Sequence, residues 1–136
     1  MTIQELSQYY HITQELRAYD KRIDELRARR VAISAPSFDK EPTGHRPGAG
    51  DSKIETLTAE IIDLEELLQA NRERRVIELR RLERYIGSID DAVVRRIIQL
   101  RFVELRSWNA VAQSMSYTVE AVKKRLYRYL EKHPDE

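Results

Sequence analysis

Cysteine is absent from this 136-residue chain. Disulfides, thiol nucleophiles and cysteine-held metal sites are therefore excluded, and a reducing compartment is favoured. Proline and glycine are scarce, at four of each, so few positions interrupt a helix. No apolar run approaches the ~18 residues of a membrane span, and the N-terminus lacks a basic-then-apolar signal pattern; no membrane partner is expected. An excess of one charge is also lacking: 24 Lys and Arg stand against 23 Asp and Glu, a net +1. Bulk charge thus says nothing about nucleic acid, and its distribution along the chain must decide. The length accommodates one domain or two small modules.

What is present is charge at helical spacing. Charged residues make up 35% of the chain and hydrophobic ones 41%, a composition that fits long solvated helices. From Tyr9, apolar residues recur at Ile12, Leu16, Tyr19, Ile23 and Leu26, alternating steps of three and four as in a coiled-coil seam. A second stripe runs through Ile54, Leu57, Ile61, Leu64 and Leu68. After a register shift it continues at Val76, Leu79, Leu82 and Ile86. Between the stripes lies "APSFDKEPTGHRPGAGD", with three of the four prolines and three of the four glycines. We read it as a linker over 36–51. The stripes then predict helices over about 2–35 and 52–87, the second capped by Ser52 with Glu55 three residues on and stopped at Gly87.

Equal lengths of roughly 50 Å each suit an antiparallel hairpin, and the charges agree. Arg27, Arg29 and Arg30 end the first helix, while Glu55, Glu60, Asp63, Glu65 and Glu66 begin the second. At the far ends, Glu5 and Glu15 are expected near Arg80, Arg81 and Arg84. Exposed pairs contribute only ~0–1 kcal/mol each, so they set orientation, while seam burial supplies the driving force. Two helices leave much apolar surface wet, so a second subunit or the C-terminal module is expected to cover some of it.

Residues 88–136 read as a separate helix-turn-helix unit. "SIDD" offers a start with Ser88 as cap, followed by an apolar helix through Val93, Val94, Ile97, Ile98, Leu100, Phe102 and Val103 that ends near Arg106. Ser107 caps a short helix from Trp108 to about Met115, and Thr118 caps a third over roughly Val119–Lys132. Val111, Ala112, Met115, Val122 and Leu126 supply the core, with small Ala112 allowing close approach. Ser116 occupies the turn position where such motifs usually hold glycine.

The last helix carries Lys123, Lys124, Arg125, Arg128 and Lys132 against only Glu120 and Glu131, with Tyr127 and Tyr129 interleaved. Donors in its first half and cations further along suit a major groove; a merely solvated basic face is the plain alternative.

"WNAVAQSMSYTVEAVKKRLYRYL" resembles the fourth region of bacterial sigma factors, and the preceding "RRIIQLRFVELRSW" is similar to that region's first helix. The whole chain resembles small phage- or prophage-encoded late-gene transcriptional regulators of the RinA/ArpU type from Gram-positive bacteria. The resemblance implies an all-α protein of the bacterial host cytoplasm, double-stranded DNA as partner, and RNA polymerase as a candidate second partner. It implies base-edge contacts from Val119, Glu120 and Lys124, and phosphate contacts from Lys123, Arg125 and Arg128. Thr118, Tyr127 and Lys132 complete the candidate phosphate contacts. Val119 stands where the primary sigma factor has Arg, so that factor's promoter element does not carry over. Nothing matches the promoter-melting region of a complete sigma factor.

A single such module makes few phosphate contacts, so a homo-oligomer, a dimer first, is expected to raise the affinity. His11, His45 and His133 are far apart in sequence, no phosphate loop is present, and no carboxylate dyad stands out. We expect no enzyme, no metal, no cofactor and no small-molecule substrate. Trp108 and Phe102 read as core, and His45-Arg46 as tether. A DNA-packaging adaptor like a small terminase subunit, or an interaction module that never touches DNA, are the rival readings.

Overall fold

A computed structural model describes residues 1–34 and 49–134, with side chains of the second stretch described from Ser52 onward. The expected linker lies largely outside the described residues, as do His45 and Arg46. Among the described residues the fold is all-α, without strands. The helices are α1 (Ile3–Leu6), α2 (Gln8–Ser34), α3 (Ala49–Ser88), α4 (Ala92–Ile98), α5 (Trp108–Met115) and α6 (Val119–Lys132), with a π-helical turn over Gln99–Val103 extending α4.

The chain forms two compact units, one of Met1–Gln14 with Glu73–Glu136 and one of Glu15–Arg72. The expected division at 87/88 falls just inside the end of α3. By packing, the first turns of the chain and the last turns of α3 share a unit with α4–α6.

In the unit of residues 15–72, residues 15 and 20 of α2 meet residues 71 and 72 of α3, while residues 27 and 30 meet residues 65 and 58. Glu15 accepts from the Asn71 amide at 3.3 Å, Asp20 lies 4.0 Å from Arg72, and Arg27 bonds Glu65. That order is the signature of an antiparallel pair. The expected match between the basic end of α2 and the acidic start of α3 is made through Arg27 and Glu65. In the other unit, Arg81 donates to the backbone oxygen of Glu5 at 2.9 Å. The expected pairing of Glu5 and Glu15 carboxylates with Arg80, Arg81 and Arg84 is not what forms. Glu5 closes a capping box with Thr2, and Glu15 is held by Asn71, because each meets a nearer donor.

The register shift read on α3 is corrected. Leu57, Ile61, Leu68, Asn71, Leu82, Tyr85 and Ile89 are buried, with Leu64, Arg75 and Glu78 half-buried between them. These positions keep one unbroken three-four alternation. Asn71, Arg75 and Glu78 occupy it, so Val76 falls outside, 48% exposed. On α2, Thr13 is buried in the same way, its hydroxyl donating to the Tyr9 carbonyl at 2.8 Å. A polar residue inside the stripe looks like a break when only apolar residues are counted.

Three helix boundaries also differ. α3 begins at Ala49, so Ser52 is not its cap; the Ser52 carbonyl instead accepts from the Thr56 hydroxyl at 2.9 Å. One glycine inside a helix costs only about 1 kcal/mol, too little to stop a turn that a long helix extends. For the same reason α3 passes through Gly87 to Ser88. The cap of α4 is Asp91, not Ser88: the Asp91 carboxylate accepts from the Val93 and Val94 N–H groups at 2.9 and 3.2 Å, and the Ser88 hydroxyl turns back to the Tyr85 carbonyl.

Met1, Leu6, Leu82, Tyr85 and Ile89 join Val94, Ile97, Ile98, Leu100, Phe102, Val111, Ala112, Val122, Leu126 and Leu130 in one core. Each large apolar side chain so buried contributes roughly 1.5–3 kcal/mol. This core carries α5 and α6, which are too short to persist alone.

Candidate nucleic-acid interface

α5 starts where the Ser107 hydroxyl accepts the Ala110 N–H, and α6 where the Thr118 hydroxyl accepts the Ala121 N–H, both at 3.1 Å. Between them α5 closes in a Schellman motif: Tyr117 N–H reaches the Ala112 carbonyl at 3.0 Å and Ser116 N–H the Gln113 carbonyl at 3.3 Å. Ser116 adopts φ 58°, ψ 37°. The left-handed turn that glycine usually fills is thus built with serine, at a cost of about 1–2 kcal/mol. Ala112 is buried, 4% exposed, as close approach of the two helices requires.

α6 turns Val122, Leu126 and Leu130 inward. Its outward side is set by what remains. Glu120, Lys124, Arg128 and Lys132 follow one another at four-residue steps and are all exposed, which aligns them as one slowly drifting row. Among the described residues, the side chains of Lys124, Arg128 and Lys132 have no ion pair or hydrogen bond. Tyr127 is 44% exposed beside this row.

The remaining candidate residues are placed differently. Val119 is half-buried and packs against the core. The Thr118 hydroxyl is engaged as a cap. Lys123 is half-buried with its Nζ 5.7 Å from the Trp108 ring centroid. Arg125 reaches across to Asp91, Nη2 to Oδ2 3.2 Å, and so links α6 to the cap of α4. Burial alone would raise the Asp91 carboxyl, but the Val94 N–H, the Arg125 guanidinium and the Val93 N–H together outweigh it and hold its pKa below the ordinary aspartate range.

Sequence reasoning missed two features. Ala121 is exposed between Glu120 and Lys124, and a methyl there suits contact with a thymine methyl; nothing in an alanine announces this before the face of α6 is known. The second is a cluster around Trp108. Arg101 lies 4.9 Å from its ring centroid, with Phe102 edge-on at 6.3 Å and an interplanar angle of 85°. The π-helical turn and Leu105 at φ 57° shape the segment from which Arg101 also donates to the Arg106 carbonyl at 2.9 Å. The core reading fits Phe102, which is buried, while Trp108 is half-buried at the edge of the core.

Among the described residues, no three His, Asp or Glu side chains gather to hold a metal ion, and no helix is long and apolar enough to cross a membrane. No protein-family model, curated protein or solved structure matches the chain.

Proposed function

We propose that this protein is a sequence-specific DNA-binding transcriptional regulator that lays the outward side of α6 in a duplex groove. The observation that carries this reading is the row of Lys124, Arg128 and Lys132, exposed and unpaired on a helix that follows a left-handed turn. Within a folded chain, cations are often answered by carboxylates; three left unanswered along one helix match the spacing of a charged backbone better than they serve stability. Glu120, Ala121 and Lys124, in the first half of α6, face the bases in this reading, Glu120 accepting from cytosine and Lys124 donating to guanine. Lys123 and Arg125 have intramolecular partners and act mainly by shaping the surface.

Origin in a phage or prophage and action on late genes belong to the same proposal and rest on the resemblance of the whole chain to RinA/ArpU-type regulators, and RNA polymerase as second partner on the resemblance of residues 90–132 to sigma region four. Self-association, to a dimer first, is supported by the exposure of Ile62 and Leu67 in one unit and Val76 and Ile77 in the other.

Selection of bound fragments from the producing organism's genome, at several salt concentrations, tests the reading. Two phosphate contacts, from Arg128 and Lys132, give a slope of log affinity against log salt of about −1.8. Lys124→Ala is expected to change which fragments are recovered. Retention of no fragment at low salt removes the DNA reading, and equal retention of all fragments removes its sequence specificity. A ring of eight or more subunits by light scattering would favour a packaging adaptor instead.

A further inference from the structure

A cleft of about 440 Å³ lies between the α3–α4 connection and the second half of α6, lined by Ser88, Asp90, Asp91, Arg125, Arg128, Tyr129, Lys132 and His133. Most of its polar groups are already committed. The Ser88 hydroxyl donates to the Tyr85 carbonyl at 2.6 Å. Asp91 is bound by two N–H groups and by Arg125. His133 Nδ1 lies 3.0 Å from the Tyr129 carbonyl, and its ring stacks on the Tyr129 ring at 4.2 Å and 22°. A carbonyl oxygen can only accept, so Nδ1 carries the proton there. Among the described residues, Arg128 and Lys132 on one side of the cleft and the exposed Asp90 carboxylate on the other have no side-chain partner.

We propose that this cleft seats a phosphate ester, with Arg128 and Lys132 as its ligands. A guanidinium offers two parallel donors to a tetrahedral oxyanion, and an ammonium adds a point charge. The volume exceeds what a bare anion needs and lies in the range that holds an anion with an organic group attached. Arg125 forms the cleft wall and is kept from the ester by Asp91, which makes it a positioning residue. The ester is either a duplex phosphodiester, in which case this inference rests on the DNA-binding reading and fixes the side of α6 along which the backbone runs, or the phosphate of a free nucleotide. Asp90 separates the two sources. A phosphodiester of DNA brings no donor to it, so Asp90 repels that ligand, whereas ribose hydroxyls of a nucleotide would donate to it.

The test uses the full chain with Arg128→Ala, Lys132→Ala, the double variant and Asp90→Asn, all at solvent-exposed positions and checked for folding by circular dichroism. Binding of a labelled duplex recovered by the genomic selection is followed by anisotropy across salt concentrations. In parallel, adenosine monophosphate and inorganic phosphate are titrated while the Arg128 and His133 NMR signals are monitored. For a backbone seat, each alanine lowers the magnitude of the salt slope by about 0.9, and Asp90→Asn tightens duplex binding several-fold. For a nucleotide seat, adenosine monophosphate shifts both signals saturably in the wild type, the His133 signal stays unmoved in Arg128→Ala, and Asp90→Asn weakens binding. Saturable nucleotide shifts from a chain that binds no duplex would uphold the seat and remove the DNA reading. A wild type that binds duplex, with an unchanged slope in the double variant and no response to either small phosphate, would overturn the seat and the backbone role of Arg128 and Lys132, while duplex binding itself would stand. Silence in every arm overturns the seat.

Discussion

In the unit of residues 15–72, charge is spent across the helix pair: Arg27 meets Glu65, Arg72 meets Asp20, and Asn71 meets Glu15. Among the described residues, only Arg125 of α6 is answered in this way, by Asp91, while Lys124, Arg128 and Lys132 are exposed and without an ion pair. The contrast separates two uses of one residue type. Opposite charges placed on paired helices set orientation and contribute little energy, about 0–1 kcal/mol each. Like charges in an unanswered row store an electrostatic preference that a polyanion can satisfy.

The largest effect that would sharpen this contrast is expected from Leu126→Ala. Leu126 is fully buried at the base of the cationic row, and its truncation should cost about 2–5 kcal/mol. Urea denaturation should show this loss in the unit holding α6, read from the single Trp108, while helix signal from residues 15–72 persists. Simultaneous loss of both would show that the two units fold as one.

A smaller effect is expected at the Asp91 clasp. Asp91→Ala removes the α4 cap and should cost about 0.5–2 kcal/mol; Asp91→Asn, which can still accept as a cap, should lose less. The pH dependence has a definite sign. A carboxyl held below its ordinary pKa contributes stability that is complete above the unfolded value, about 3.9, and is lost as pH falls through the depressed folded value. Wild type should therefore lose an increment of stability in acid that Asp91→Asn does not, measured as urea midpoint between pH 6 and pH 3.

Asn71→Leu probes the other region. An apolar side chain at this buried seam position should raise stability by about 1 kcal/mol, while loosening the pairing that Glu15 and Asn71 specify. Disulfide trapping of cysteines introduced at neighbouring seam positions would detect a shifted register; an unshifted register with lower stability would mean that the amide contributes stability itself. The smallest change is expected from Ser116→Gly. Relief of left-handed strain is partly offset by the greater unfolded-state entropy of glycine, leaving a gain below about 1 kcal/mol in thermal denaturation. A loss there would show that the serine is favourable in its left-handed turn.

The short helices were more legible than the long ones. Ser107 and Thr118 cap α5 and α6 where a hydroxyl residue precedes an apolar run, because capping is a contact across three residues and is visible locally. The start of α3 and the cap of α4 were misread for a related reason. "SIDD" offers two capping solutions three residues apart, and local chemistry alone does not rank Ser88 against Asp91. Arg125 shows the limit for the candidate site: its partner lies 34 residues away in sequence, so nothing near it marks it as engaged. Lys123 is similar, drawn toward Trp108 by the packing of α5 on α6.

Composition, spacing and caps by themselves determined an all-α chain, antiparallel helix pairing and a short cationic helix after a tight turn, since each depends on interactions within a few residues or on one repeated period. Only the tertiary structure decided which cations of that helix stay free, that polar Thr13 and Asn71 belong to buried seams, and that a cleft collects Arg128 and Lys132 beside Asp90. Those outcomes depend on which distant groups arrive within about 3–4 Å, and hydrogen bonds and ion pairs form only at that range.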